Sequence, residues 1–200
     1  EGNDEPSTAD TLTSGNSIKG QLSTGTDRDV YSIVTTSTGV IDIDFDAPTD
    51  SSYVDYFNIT LWDGQNTIAA QVTGKDTSFS AGVEAGTYYV YVDSTYYHNA
   101  EEYSLTATSS LGDISGVETE GNDEPSTADT LTSGNSIKGQ LSSDTDRDVY
   151  SIVTTSTGTI DIDFDAPTNS SYTDYFNLTL WDGQNTLAAQ ATGKDTSFSA

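Results

Sequence analysis

The chain contains no cysteine and no methionine, a single histidine, and six lysines and arginines against 32 aspartates and glutamates. Each shortage removes a class of function. Without cysteine there is no disulfide framework and no thiolate metal site, and thiol usage says nothing about the redox compartment. His98 has no second histidine to work with, and no serine sits in a nucleophile motif, so a catalytic triad has no basis. It reads as a loop residue, and the chain reads as non-catalytic. A formal net charge of −26 repels nucleic-acid phosphates and anionic lipid, which leaves cations as the partners this surface invites. No apolar run is long enough for a membrane-spanning helix, and no membrane insertion is expected. No signal-peptide pattern is visible. A hydrophobic share of 33% would permit disorder, but aromatic and β-branched residues recur in strand-like alternation.

What the sequence does contain is a repeat. Residues 1–81 recur as 120–200, an offset of 119 (120 − 1), with eight differences. These are Thr24→Ser143, Gly25→Asp144, Val40→Thr159, Asp50→Asn169, Val54→Thr173, Ile59→Leu178, Ile68→Leu187 and Val72→Ala191. The two Ile/Leu exchanges conserve volume, as packed sites prefer. The two Val/Thr exchanges admit a hydroxyl and are expected at an edge. The second copy has no counterpart of Gly82–Thr108, and such a cut is expected to leave strand edges unpaired. The organisation expected is a first module over 1–110, a linker over 111–119 and an incomplete second module over 120–200, an excerpt of a longer tandem array. Near-identical modules build length or multivalency rather than one active site.

The coarse structure is all-β. Val40-Ile-Asp-Ile-Asp-Phe-Asp46 alternates cleanly, with Ile41, Ile43 and Phe45 on one face and three aspartates on the other. Regular carboxylates on one strand face stand about 6–7 Å apart, too far to chelate one ion, so this face reads as solvation. Tyr56–Trp62 ends at Asp63-Gly64, a hairpin signal, and Thr67–Val72 answers it. Ser17–Leu22, Val30–Val34, a short Thr77–Phe79, Gly86–Val92 and Glu102–Ala107 complete the set. Short strands separated by Gly, Asn and Asp describe an antiparallel β-sandwich. The expected core is Ile18, Leu22, Tyr31, Ile33, Ile41, Ile43, Phe45, Phe57, Ile59, Leu61, Ile68, Tyr89, Tyr91, Tyr103 and Leu105. Trp62 and Trp181 are expected to cover its rim.

The densest chemistry lies where linker meets module. Glu118, Glu120, Asn122 and Asp123 fall within six residues, and Asp146 and Asp148 follow after a turn. The first copy offers Glu1, Asn3, Asp4, Asp27 and Asp29. In extended backbone, residues two apart share a side, so these oxygens can face one point. Two like charges 4 Å apart repel by about 1 kcal/mol even in water, and Arg28 and Arg147 supply one positive charge per copy. Calcium suits such a site, being hard and tolerant of irregular oxygen coordination. Zinc and copper lack histidine and cysteine ligands. The bland alternative is solvated acidic surface.

Taken together, Glu-x-Glu-x-Asn-Asp, the following Ala9 or Ala128, Ile-x-Gly-x-Leu, Asp-x-Asp-x-Tyr, Ala85-Gly-Thr-Tyr88 and the closing Tyr103-Ser-Leu105 resemble the bacterial pre-peptidase C-terminal domain family. The resemblance spans the first module and the visible part of the second. It implies a jelly-roll-like β-sandwich related to the collagen-binding domains of secreted bacterial collagenases. It also implies calcium at the junction, held by Glu118, Glu120, Asn122, Asp123, Asp146 and Asp148, and by the first copy's set, whose leading glutamate would precede residue 1. By the same resemblance Tyr88 and its neighbours Tyr96 and Tyr97 are candidates for contact with a fibrous protein or glycan. Strand packing is the competing account of those tyrosines.

Three sequons, at Asn58, Asn169 and Asn177, are candidate glycosylation sites. The leading functional expectation is an extracellular or cell-surface calcium-binding repeat of a surface protein, adhesin stalk or fibre, stiffened at its junctions. The alternative is a ligand-binding accessory domain of a secreted hydrolase. Neighbouring copies are the expected partners, including strand complementation of the second module by another chain.

Overall fold

The computed structural model describes residues 2–49, 53, 56–112, 116–143, 145–167, 172–173 and 175–200. The described chain is all-β apart from one 3-10 turn, Pro6–Thr8, and it forms two compact units, Glu1–Ile152 and Val153–Ala200.

The first unit carries strands β1 (Asp10–Thr11), β2 (Ser17–Gly20), β3 (Arg28–Thr35), β4 (Gly39–Asp46), β5 (Phe57–Trp62), β6 (Thr67–Thr73), β7 (Thr77–Val83), β8 (Gly86–Asp93) and β9 (Tyr103–Leu111). Two short strands follow, β10 (Asp129–Thr130) and β11 (Tyr150–Ser151). A five-stranded sheet runs β1-β3-β8-β5-β6 and a four-stranded sheet runs β2-β9-β4-β7. Pairing in both is antiparallel except between β1 and β3, and β10 pairs with β11 in parallel.

The sheets enclose one core because alternation sends apolar side chains of each to a shared interior. On β4, Ile41, Ile43 and Phe45 are buried while Asp42, Asp44 and Asp46 face water, as the pattern predicts. Phe57, Ile59 and Leu61 do the same on β5. The Phe45 ring lies 5.3 Å from that of Phe57 and 5.3 Å from that of Tyr103, which ties the two layers together. At the β5–β6 hairpin, Gly64 takes φ 99°, which an L side chain rarely adopts, and Asp63 Oδ1 accepts from the N–H groups of Gln65 (2.6 Å) and Asn66 (2.7 Å).

Three sequence expectations are corrected. Tyr88, Val90 and Val92 point inward on β8, so Tyr89 and Tyr91 lie on the outer face rather than in the core. Tyrosine keeps its hydroxyl wet while covering apolar surface, whereas valine gains only by burial, and shifting the phase by one residue would reverse every side chain. Trp62 packs on that outer face, 5.8 Å from Tyr89 and 5.9 Å from Tyr91, and does not cap the core rim. Val40 is buried within β4, paired to both Gly82 and Ser110, and is not at an edge. Val54 lies outside the described residues. Ile18 is half-buried against the core, which Leu12, Val30 and Val83 join.

The second unit carries β12 (Asp161–Phe164), β13 (Phe176–Trp181), β14 (Thr186–Thr192) and β15 (Thr196–Ser199). β12 pairs with β15 and β13 with β14, in the registers of β4–β7 and β5–β6 displaced by 119. Ile162, Phe164, Phe176, Leu178 and Leu180 are partly exposed, although Ile43, Phe45, Phe57, Ile59 and Leu61 are wholly buried. In the first unit β8 and β9 complete the sheets over those residues, and among the described residues of 153–200 there are no equivalent strands.

Candidate cation site at the entrance of the second copy

The segment from Gly116 to Ile152 approaches the first sandwich and turns Glu118 and Asn122 inward. Glu118 is 4% exposed and Asn122 1%. The Glu118 N–H donates to Lys138 O at 3.0 Å, which places its carboxylate beneath the chain that follows. Oε2 accepts from Asn122 Nδ2 at 3.3 Å and from the Tyr150 hydroxyl, and Oε1 accepts from the Gln140 N–H. The Val149 N–H donates to Asn122 O at 3.0 Å, so Asn122 is fixed from backbone and side chain together.

Two features mark this cluster as unfinished. Asn122 Oδ1 and Asp148 Oδ1 are buried with no hydrogen-bond partner, and so is Asn3 Oδ1 at the matching position of the first copy. An unpaired buried polar atom costs about 1–3 kcal/mol, so three such side-chain oxygens are unlike ordinary packing. The carboxylates also burden one another. Burial, then the charges of Asp146, Glu118, Asp148 and Asp123, push Glu120 up to about 9. Burial and Glu118 push Asp148 up to about 7. Glu118 is itself raised, chiefly by burial. Burial raises the Tyr150 phenol as well.

The remaining acids are placed differently. Asp146 Oδ2 accepts from the Ser142 N–H, closing a turn. Asp123 is exposed, and its carbonyl accepts from Arg147 Nη2 at 2.6 Å. In the first copy Glu1 lies outside the described residues and Asp4 is exposed. Asp27 Oδ2 accepts from Ser23 N (2.5 Å) and Oγ (2.8 Å). Asp29 is buried, its Oδ2 accepting from the Tyr103 hydroxyl at 2.5 Å, and Tyr103 meets Tyr31 at 2.7 Å. Tyr31 thus turns to Tyr103 where Tyr150 turns to Glu118. Among the described residues no three His, Cys, Asp or Glu side chains already stand so as to hold a metal ion. The donors present are mixed amide and carboxylate oxygens. Their orphaned members fit a hard cation, which takes up lone pairs that no N–H reaches.

Tyr150, Gln140 and Gly139 escaped the reading of the acids alone, though Gly and Tyr recur at these positions in both copies. A methyl at Gly139 would overlap the Tyr150 hydroxyl and lie 2.7 Å from Glu118 Oε2. Gly139→Ala is therefore expected to separate Tyr150 from Glu118 and to cost about 1–3 kcal/mol, read as a lower denaturation midpoint.

The other candidates are distributed over the sandwich. Tyr88 is buried and its hydroxyl donates to Glu84 O at 3.1 Å, which corrects its expected exposure. Tyr96 is 64% exposed, and Tyr97 packs 4.9 Å from Phe57 and donates to Glu101 Oε2 at 3.0 Å. Asn58 Nδ2 donates to Asp93 Oδ1 at 2.7 Å, Asn177 is exposed on β13, and Asn169 lies outside the described residues. Among the described residues no helix is long and apolar enough to cross a membrane.

No protein-family model matches the chain. No curated protein matches it. Among solved structures it is similar to the pre-peptidase C-terminal domain of a collagenase from Bacillus anthracis, at 28% identity and a TM-score of 0.41, over 50% of this chain and 94% of that one.

Proposed function

We propose that the chain is a non-catalytic, extracellular β-sandwich repeat that binds calcium at the entrance of each copy, serving as a surface-protein, adhesin-stalk or fibre module. The observation that carries this reading is the pair of matching buried acceptors, Asn3 Oδ1 and Asn122 Oδ1, with Asp148 Oδ1 beside the second. Glu118, Glu120, Asn122 and Asp148 would hold the ion, with Asp123 and Asp146 within reach of its charge. Bound calcium supplies the positive charge that a cluster of mutually raised carboxylates lacks.

Calorimetric titration tests it. Extracellular calcium modules bind with dissociation constants on the order of 10⁻⁴–10⁻³ M, and a heat of binding in that range or tighter is expected. Asn122→Ala is expected to weaken it about tenfold or more, since loss of one ligand removes a direct oxygen contact. No heat at millimolar calcium would overturn the reading.

A second reading, an accessory module holding a fibrous protein or glycan for a secreted hydrolase, is supported by the outer face of the five-stranded sheet. There Trp62, Tyr89 and Tyr91 cluster and the Arg28 guanidinium sits 5.5 Å over the Tyr91 ring. Retention of the calcium-free chain on an insoluble polysaccharide or protein fibre would select it over the first.

A further inference from the structure

β6 and β7 are the last strands of their respective sheets and lie side by side, so one flank of the sandwich presents two open edges. Unpaired edges invite association with other chains unless something covers them. Here the cover comes from the end of the linker and the start of the second copy. Thr119 forms a parallel bridge with Gly82 at the end of β7, and Gln140 Nε2 donates to Ala70 O on β6 at 2.6 Å. The two contact points are held together from behind. Val117 bridges Lys138, and the Lys138 N–H donates to Gly116 O at 2.9 Å. Asp129 clamps Thr119 through its N–H (2.7 Å) and its hydroxyl (2.9 Å).

Gly82 fits this role because it has no side chain. A methyl there would overlap the Glu118 carbonyl oxygen and lie 2.9 Å from Glu118 C and 3.2 Å from Thr119 Cγ2. Beneath the contact, Ile68, Ala81, Gly82, Glu118 and Gln140 line a small, partly open pocket of about 30 Å³. Ile68, under this cover, is 6% exposed, whereas Leu187 at the same position of the second copy is 51% exposed.

We propose that the paired β6–β7 edge is a receptor for the entrance segment of the following module, with Gly82 as the notch and Gln140 as the peg. The partner is another copy of this module, next along the array. The inference rests on reading the chain as an array, and its contacts to the edge, being backbone and amide hydrogen bonds, do not themselves require calcium. The docked entrance also blocks the edge against addition of foreign strands.

Hydrogen exchange of the full chain in excess chelator tests it, comparing wild type with Gly82→Ala and Gln140→Ala. Wild type is expected to protect the entrance segment from Glu118 to Gln140 as one unit with the β6–β7 edge, and each variant to lose about tenfold or more of that protection while β3, β4 and β8 keep theirs. Wild-type amides as fast as those of the variants in chelator would overturn the proposal, even with the calcium reading intact. Should Gly82→Ala disturb the sandwich itself, Gln140→Ala decides, because its side chain lies outside the first core. Unchanged protection in Gln140→Ala would then overturn it.

Discussion

Phe45→Ala is expected to destabilise the first sandwich by about 3–5 kcal/mol, most of the stability of a small domain. Phe45 is wholly buried at the centre of the core, in a strand paired on both sides, by β7 and by β9. Its ring joins Phe57 from the opposite sheet to Tyr103 from its own. Removing it leaves a cavity that rigid sheets cannot collapse to fill. The second copy supplies an internal control. Phe164 occupies the same position and lies 5.2 Å from Phe176, yet is partly exposed. Phe164→Ala is expected to cost less than about half as much, since less surface returns to water. Denaturant titration followed by tyrosine and tryptophan fluorescence gives both values. Equal costs would show that the enclosure of Phe45 contributes nothing, contrary to the packing described.

Strands were legible wherever one phase of the alternation was apolar and the other charged. β4 is the clearest case, because placing Asp42, Asp44 and Asp46 inside would bury three carboxylates. β8 was legible as a strand and illegible in phase, since Tyr88, Tyr89 and Tyr91 put aromatic rings on both faces. Its neighbours β3 and β5 fix the phase, and that is long-range information. β1 is two residues long, which is too short for periodicity. At the site, the acids stood out by their density, but which of them turn inward did not. Asp27 and Asp146 each bond a backbone N–H four residues earlier, a local turn that competes with any outward role. Glu118 depends on Gln140 and Tyr150, which lie 22 and 32 residues away. Only the folded chain brings those groups together.

In calcium-free solution the stability of the first unit is expected to fall as pH rises from about 5 to about 9. Glu120 moves from 4.5 in the open chain to about 9 in the fold, and Asp148 from 3.8 to about 7. Between those limits the folded protein holds protons that the unfolded chain has released, so raising pH favours unfolding. The contribution is complete below the unfolded values and is lost as pH passes through the folded ones. This is the reverse of a carboxylate held by a salt bridge, and its causes are burial and crowding by like charges. Calcium is expected to flatten the dependence by taking the place of the protons. At about 100 times its dissociation constant it adds about 2.7 kcal/mol. Binding at pH 7 should therefore release more than one proton, about one from Glu120 and about half of one from Asp148, measured by calorimetry in buffers of different ionisation enthalpy. Glu120→Gln removes the larger share of the displaced protons and should reduce the buffer dependence accordingly. Stability that rises with pH across this range in chelator would mean that the buried carboxylates already have their counter-charge, leaving a cation nothing to neutralise.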